Sequence, residues 1–256
     1  MQSLEELQER RAYECRLTPD RALESLDEAE EFLRDRGLLT RTADSALPSL
    51  YEACHEEPYK PDGHGFATWP ATKWPWFGQL GRSHVVLKVH RGKNLLVTDE
   101  AAALLDPICC AEIARTEAAD PNWARLLRHL ENAGPSLLED LQVELELKPK
   151  ELKLLRAPLE RCGAIVARYT ALEEAEATEL ARWDQVHSGS GDVDVDLHHS
   201  LGNLLVAAVR AAVVAPEREL KRWFSWQWYW DDAVVDGLVE DGRLIRPDAG
   251  WIAAAS

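Results

Sequence analysis

A pattern made of a helix end, a glycine and a strand start occurs three times in this chain and limits how it can fold. It is found in LRDRGLLT (33–40), LERCGAIV (159–166) and LVEDGRLI (238–245), each with a leucine four residues before the glycine. We predict that each glycine takes the left-handed conformation that ends a helix, because a residue without Cβ adopts positive φ at little cost. The chain is therefore expected to repeat a helical unit followed by short strands.

The unit around the second copy begins with two helical segments. Four apolar residues recur at helical spacing in the first segment, namely Trp123, Leu126, Leu127 and Leu130. Gly134 and Pro135 end this segment, and Ser136 with Glu139 has the spacing of a capping box. We therefore predict a second helix that begins at Ser136.

A third helical segment, residues 148–163, completes this unit and carries its basic residues. Leu152, Leu155 and Leu159 form its apolar stripe, and the apolar run IVARYTAL (165–172) has strand character. Three helices followed by a strand pair is the order of a winged helix-turn-helix, in which the third helix enters the major groove of DNA.

The C-terminal copy is predicted to have the same order. We expect a first helix over about 200–214, a second beginning at Pro216, a third over 231–241 capped by Asp231 or Asp232, and a hairpin turned at 247–250. Because its third helix is acidic, this copy is expected to pack rather than to bind DNA. The predicted fold is α+β, mostly helical, with tandem winged helix-turn-helix units and small β-wings over 1–110, 118–186 and 193–256.

The segment between the first two copies has a different composition. Residues 49–76 are rich in Pro, Gly, His and Trp, and HVVLKVHRGKNLLVTDE (84–100) follows. The latter alternates as two strands about the turn RGKN. We predict one face with Val85, Leu87 and Val89 and an opposite face with Lys88 and His90.

The net charge of −16 argues against strong non-specific binding to nucleic acid, yet two windows are locally basic. One is the predicted hairpin with its approach, and the other is the third helix of the second unit. We predict that their residues bind DNA phosphates, together with Lys73 of the preceding loop: Arg82, Lys88, Arg91, Lys93, Lys148, Lys150, Lys153 and Arg156. The alternative is an ordinary solvated surface.

The five cysteines follow neither a disulfide nor a zinc pattern, since their number is odd and no Cys-x-x-Cys occurs. The sequence also lacks a phosphate-binding loop, a dinucleotide fingerprint and an apolar run of membrane-spanning length. The charged N-terminus does not fit a signal peptide. We therefore expect a cytoplasmic protein without a metal or another cofactor.

Four stretches resemble the AlkZ/YcaQ family of bacterial DNA glycosylases. They are LDEAEEFLRDRGLL (26–39), RGKNLLVTDEAAALLDP (91–107), WARLLRHLENAGPSLLEDL (123–141) and VVAPERELKRWFSW (213–226). The resemblance covers most of the chain without one diagnostic motif. It implies tandem winged helices that hold double-stranded DNA, and excision of alkylated or cross-linked bases.

The sequence departs from this family at the catalytic signature, which is Gln-x-Gln or Gln-x-Asp. No such triplet occurs here, and Gln142-Val143-Glu144 lies in the second unit. A carboxylate can deprotonate water and stabilise an oxocarbenium ion. The loop 44–64 offers Asp44, Glu52 and His55 as candidate catalytic residues, and a charged surface loop is the alternative.

Two groups of tryptophans are candidates for contact with bases. Trp69, Trp74 and Trp76 lie in the irregular segment next to the basic hairpin, and we predict that they stack on bases. The segment 220–230 holds four more, of which Trp223, Trp226 and Trp230 have the spacing of one helix face. We expect at least two of these three in the core and Trp228 at the surface.

The first function expected is therefore a DNA-binding protein similar to monofunctional DNA glycosylases, with the enzymatic activity left open. A winged-helix regulator that binds DNA without a base pocket is the second. A protein-docking scaffold, which the acidic composition favours, is the third.

Overall fold

The structure is a computed structural model that describes residues 2–172, 175–187 and 196–255. Within these ranges the chain is mostly helical with small antiparallel sheets, which confirms the predicted α+β class. The α-helices are α1 (Leu4–Glu14), α2 (Leu26–Arg36), α3 (Leu50–Ala53), α4 (Trp76–Ser83), α5 (Asp99–Ala119), α6 (Pro121–Ala133), α7 (Leu138–Glu144), α8 (Pro149–Cys162), α9 (Trp183–Val186), α10 (Leu197–Ala212) and α11 (Val234–Glu240). The strands are β1 (Leu38–Thr40), β2 (Val85–His90), β3 (Lys93–Val97), β4 (Ser136–Leu137), β5 (Ile165–Leu172), β6 (Ala175–Arg182), β7 (Val214–Pro216), β8 (Leu244–Ile245) and β9 (Trp251–Ala254).

The three sheets share one strand order, which supports the threefold repeat. The orders are β1-β3-β2, β4-β6-β5 and β7-β9-β8, and all pairs are antiparallel. In each sheet the last strand of the unit lies in the centre, between the first strand of its own hairpin and an earlier short strand. The hairpins predicted around RGKN, after Gly163 and at 247–250 are all present.

The three repeated glycines adopt the predicted left-handed conformation, with φ of 77° at Gly37, 82° at Gly163 and 68° at Gly242. The copy that contains Gly37, however, occurs at an earlier point of its unit than the other two copies do. Gly37 ends α2 and precedes β1, whereas Gly163 and Gly242 precede the first strand of a hairpin. The local pattern marks a helix end before a strand, and it does not distinguish which helix of the unit ends there.

Polar caps explain several helix starts. The side chains of Ser25, Thr98, Asp120 and Asp196 accept hydrogen bonds from the first turns of α2, α5, α6 and α10. The predicted cap at Ser136 is wrong, because Ser136 pairs with Leu180 in the second sheet and α7 begins after Leu137.

The C-terminal unit differs from the prediction in its middle. Pro216 ends β7 instead of starting a helix, and the chain continues as two 3-10 turns, Glu217–Arg222 and Gln227–Tyr229. Ala233 rather than an aspartate precedes α11, while Asp231 accepts a hydrogen bond from the Ala233 N–H. The tryptophans of this segment therefore do not share a helix face.

The burial expected for these tryptophans is nevertheless confirmed. Trp223 and Trp226 are fully buried, and Trp228 is 49% exposed. Both buried rings belong to a core cluster that includes residues of all three predicted units, such as Leu38, Leu127 and Leu205.

Helix α5 lies at the centre of this shared core and contacts α6, α8, α9, α10 and β3. The predicted boundaries at residues 110 and 118 fall inside α5, and residue 193 lies outside the described residues. Helix α1 packs on the third sheet, where Leu7 and Cys15 join Val213, Val214 and Ala253. The division of the chain into three separate domains therefore remains a prediction.

In the described ranges no helix combines the length and apolar character needed to cross a membrane.

Candidate functional site

A cleft of about 390 Å³ lies between the loop after β1 and the first 3-10 turn of the C-terminal unit. Its lining is polar and charged apart from one indole. The lining residues are Asp44, Ser45, Arg91, Arg218, Glu219, Arg222 and Trp223. The cleft therefore brings together residues that are far apart in the sequence.

The loop that carries Asp44 and Ser45 is fixed at both its base and its tip. The Thr40 N–H donates to the Pro48 carbonyl at 2.9 Å, which closes the base. The Ala46 N–H donates to Glu219 Oε2 at 2.9 Å, and Arg11 Nη2 donates to the Ala46 carbonyl at 3.0 Å. The loop thus presents Asp44 and Ser45 to the cleft without relying on secondary structure of its own.

Asp44 is a partly buried carboxylate held by cations and a hydroxyl. Thr42 Oγ1 donates to Asp44 Oδ2 at 2.7 Å, Lys93 forms an ion pair with Oδ1, and Arg91 Nη1 donates to the Asp44 carbonyl at 2.7 Å. Burial acts to raise the pKa of Asp44, but the hydrogen bonds from Lys93 and Thr42 outweigh it, so the pKa lies below the usual value. Asp44 is therefore ionised at neutral pH and suited to stabilise a cation, while its lowered pKa makes it a weak proton acceptor.

The cleft also contains cationic groups available to a ligand. Arg218 and Arg222 are exposed, and in the part of the chain that the structure describes neither forms an ion pair. Together with Arg91 they give the cleft three guanidinium groups, the side chains best shaped to bind phosphate in two-point contacts.

Behind the cleft lies a chain of hydrogen bonds through a buried histidine. His90 Nδ1 is 2.7 Å from the Trp223 carbonyl oxygen, and His90 Nε2 is 3.5 Å from Ser45 Oγ. Burial lowers the pKa of His90 to about 4, although the hydrogen bond to Trp223 opposes the shift. The prediction that His90 lies on the polar face of the hairpin is wrong, because the register of β2 shifts between Leu87 and His90 and turns the ring inward.

The other two candidate catalytic residues do not line this cleft. Glu52 is exposed on α3, where its N–H is capped by Ser49. His55 is also exposed, and its Nε2 lies 2.7 Å from the Arg16 carbonyl. Among the described residues no hydrogen bond or ion pair connects either side chain with Asp44.

The two predicted basic windows are in contact with each other. Lys88 of the hairpin donates to both carboxylate oxygens of Glu160 in α8 at 2.9 Å, and Arg156 binds the same carboxylate at 3.1 Å. Gly92 at the hairpin tip lies next to Arg161. Hairpin and helix therefore form one continuous surface.

The predicted phosphate-binding residues differ in their exposure and in whether their charged groups have partners within the protein. Lys148, Lys150 and Lys153 are exposed, and no ion pair involves them within the described ranges. Arg82 is exposed at the end of α4 and also has an interaction partner. Lys73 is instead tied into its own loop, since its Nζ donates to the Leu23 carbonyl at 2.6 Å and lies 3.6 Å from Glu24.

Of the three predicted stacking residues, only Trp74 presents a largely open side chain, at 51% exposure. Trp69 lies between Phe66, at 4.5 Å, and the Arg41 guanidinium, at 4.4 Å. Trp76 packs on the core of the first unit beneath Lys73. Phe66 itself is 74% exposed and was not predicted.

Trp228, although exposed at the surface, is held by a buried carboxylate. Its indole N–H donates to Glu112 Oε1 at 2.9 Å, and Arg115 covers its ring at 4.4 Å. Tyr229 donates to the same oxygen at 2.8 Å, and Glu112 has no exposed surface. The tryptophan-rich segment therefore fastens the C-terminal unit to α5, and Trp228 takes part in that contact.

Sequence reasoning did not identify Ser45, Arg218, Glu219 and Arg222 as site residues. Three of them lie more than 170 residues after Asp44, as the Ala46–Glu219 contact shows with a separation of 173. The spacing of Arg218 and Arg222 is the only local signal, and it is common in solvated helices. Within the described residues no group of three or more His, Cys, Asp or Glu side chains is arranged to hold a metal ion.

Comparisons with known proteins give a structural likeness. No protein-family model matches the chain, and no curated protein matches it. Among solved structures, it is similar to the Streptomyces sahachiroi DNA glycosylase AlkZ, with a TM-score of 0.56 and 13% identity. The match covers 95% of this chain and 67% of that chain. At this identity the likeness shows a shared fold.

Proposed function

We propose that this protein binds double-stranded DNA and hydrolyses the N-glycosidic bond of a damaged base, with the cleft around Asp44 as its active site. The observation that carries the proposal is an ionised carboxylate in a cleft lined by three arginines. The fold shared with a protein named as a DNA glycosylase agrees with it. Alkylated bases are the proposed substrates, because alkylation makes a base a better leaving group.

Hydrolysis of the N-glycosidic bond requires a group that accepts a proton from water and an anion near the sugar. In the proposed reaction the water oxygen bonds to the anomeric carbon, while the bond to the base breaks and its electron pair leaves with the base. Asp44 accepts the water proton and stabilises the oxocarbenium-like transition state. Its lowered pKa keeps it ionised, which favours stabilising the cation more than accepting the proton.

Thr42 stands two residues before Asp44 in the loop after β1. Thr42 donates its hydroxyl hydrogen to Asp44 at 2.7 Å. We infer that Thr42 orients the carboxylate.

The proposed DNA path runs from the cleft over the hairpin to α8. Arg91, Arg218 and Arg222 bind the phosphates that flank the flipped nucleotide, and Lys148, Lys150 and Lys153 bind the duplex backbone. Lys88, Lys93 and Arg156 contribute less, because each is paired with a carboxylate. Trp74 is the proposed stacking residue.

A DNA-binding regulator without catalysis is the second candidate. The exposed lysines of α8 favour it, because α8 occupies the place of a recognition helix if the second unit is a winged helix. A docking scaffold is favoured only by the net charge of −16.

The proposal is tested by incubating the protein with duplex DNA that contains alkylated purines and measuring alkali-labile abasic sites. Asp44→Asn should abolish product and retain DNA binding, whereas Glu52→Gln, outside the cleft, should behave as wild type. Salt-sensitive binding without product from the wild-type protein would favour the regulator. Neither product nor binding would favour the scaffold.

A further inference from the structure

The hydroxyl of Ser45 stands in a defined hydrogen-bonding environment at the wall of the cleft. Its Oγ lies 3.5 Å from His90 Nε2 and accepts from the Leu47 N–H at 3.3 Å. The opposite ring nitrogen, His90 Nδ1, lies 2.7 Å from the Trp223 carbonyl oxygen. The His90 ring has no exposed surface, so it makes these contacts away from solvent.

This geometry determines the tautomer of His90. A carbonyl oxygen only accepts hydrogen bonds, so Nδ1 must carry the ring hydrogen. The ring is neutral, since burial lowers its pKa, and Nε2 therefore offers a lone pair. Among the described residues, the hydrogen-bond partner of Nε2 is the Ser45 hydroxyl at 3.5 Å, and a neutral ring with its hydrogen on Nδ1 requires that hydroxyl to donate to Nε2.

The Ser45 hydroxyl can then only accept a further hydrogen bond. A serine hydroxyl has one hydrogen and two lone pairs. With the hydrogen on His90 and one lone pair accepting from Leu47, the other lone pair is left for a ligand in the cleft that Ser45 lines. The lining of the cleft thus contains two neighbouring residues with acceptor atoms, Asp44 with a charged carboxylate and Ser45 with a neutral hydroxyl.

We propose that Ser45 is a second ligand-binding residue of the cleft that accepts but does not donate hydrogen bonds, and that His90 is the positioning residue that imposes this. The ligand is an atom with two O–H or N–H hydrogens. The inference deepens the proposed function, because an attacking water is such an atom. With its hydrogens on Asp44 and Ser45, its lone pair points into the cleft.

The same arrangement divides the cleft into two chemical halves. Phosphate oxygens carry no hydrogen, so they are repelled by Asp44 and find no donor on Ser45. Arg218 and Arg222 supply the donors that phosphate requires. Glu219 fixes the distance between the halves, because its Oε2 accepts from the Ala46 N–H at 2.9 Å and from the Trp223 indole at 3.5 Å.

The test measures binding to three duplexes that differ at one nucleotide. One holds a pyrrolidine abasic analogue, whose protonated ring nitrogen carries two hydrogens, one holds a tetrahydrofuran analogue without them, and one is undamaged. The wild-type protein should bind the pyrrolidine duplex more tightly than the tetrahydrofuran duplex. Ser45→Ala should reduce that preference about tenfold, as expected for a hydrogen bond to a charged group, and leave tetrahydrofuran binding unchanged.

Ser45→Thr keeps the hydroxyl and should retain the preference. A preference unchanged in Ser45→Ala, or a wild-type protein that binds both analogues equally but above undamaged DNA, overturns the inference while the proposed function stands. Binding of neither analogue above undamaged DNA overturns both.

His90 is tested in the wild-type protein, so the result does not depend on the folding of a variant. Nitrogen-15 NMR of the histidine rings should show a neutral ring with its hydrogen on Nδ1 between pH 5.5 and 8, values chosen above its pKa of about 4. A hydrogen on Nε2, or a ring that titrates near its usual pKa, would show that Ser45 can donate to the cleft and would refute the assigned role of His90.

Discussion

Lys88 Nζ lies 2.9 Å from both carboxylate oxygens of Glu160, and this contact joins the basic hairpin to the basic helix. Glu160 is only 4% exposed and also binds Arg156. Two cations therefore share one buried anion, and the surface proposed to face DNA depends on a carboxylate beneath it.

Replacing Glu160 by glutamine should destabilise the protein and strengthen its binding to DNA. The substitution leaves Lys88 and Arg156 without their anion, and we expect a loss of about 2 kcal/mol in the free energy of unfolding. It also frees two cations for phosphates, so DNA affinity at low salt should rise. Urea denaturation and a binding titration measure the two effects. Glu139→Gln, an exposed carboxylate of α7, is the control, and an equal response of both variants would contradict the prediction.

The three repeated glycines should differ in their tolerance of alanine. A Cβ at Gly163 would lie 2.7 Å from Cys109 Sγ and 3.2 Å from Val89 Cγ1, whereas Gly37 and Gly242 have nothing within 4 Å. All three have positive φ, so each alanine variant should lose about 1 kcal/mol from backbone strain. Gly163→Ala should lose about 2 kcal/mol more from overpacking. Chemical denaturation of the three variants checks this, and equal losses would show that the core yields at Cys109.

These glycines also show how far the sequence could predict the fold. Their positive φ follows from local chemistry, and so do the hairpin at RGKN and the apolar stripe from Trp123 to Leu130. The cap at Ser136 was predicted wrongly, because Ser136 pairs in the second sheet with Leu180 of β6, which lies more than 40 residues later. A capping-box spacing carries no information about such a partner.

The stability of the protein should fall between neutral and mildly acidic pH because of His90. Its folded pKa of about 4 lies below its ordinary value of 6.5, so below pH 6.5 the unfolded chain binds a proton that the folded chain does not. The contribution of His90 to the free energy of unfolding is complete above pH 6.5 and decreases as the pH falls to about 4. We expect a loss of about 2 kcal/mol by pH 5.

Denaturation at pH 7 and pH 5 measures this dependence. His90→Gln should lack it, whereas His64→Gln, which changes an exposed histidine, should keep it. A His90→Gln variant with the wild-type dependence on pH would mean that another group takes up the proton.

The lysines of α8 should control the salt dependence of DNA binding. Replacing Lys150 and Lys153 together by glutamine should reduce the slope of log affinity against log salt by about 0.9 for each lost phosphate contact. The double arginine variant keeps both charges and should keep the slope. Binding isotherms at several salt concentrations provide the measurement, and an unchanged slope in the glutamine variant would exclude α8 from the interface.

The candidate site was less predictable than the fold. Asp44 was selected because carboxylates near aromatics suggest chemistry, and it lines the cleft. Glu52 and His55 were selected by the same reasoning and lie outside the cleft. The cleft arises where the loop after β1 meets the segment from Arg218 to Trp223. Such a meeting depends on how the units pack together, and neither residue spacing nor composition encodes that packing in a readable form.

The packing of α1 on the third sheet has a consequence for the order of folding. The Cys15 thiol donates to the Ala211 carbonyl across 196 residues, and Leu7 shares its cluster with Ala253. During synthesis the apolar side of α1 must stay uncovered until β7 and β9 have left the ribosome. Closing so long a loop is slow, because its entropic cost comes before its contacts form. Helix α1 is therefore made well before the sheet on which it docks, and its apolar side stays exposed in the growing chain until that sheet forms.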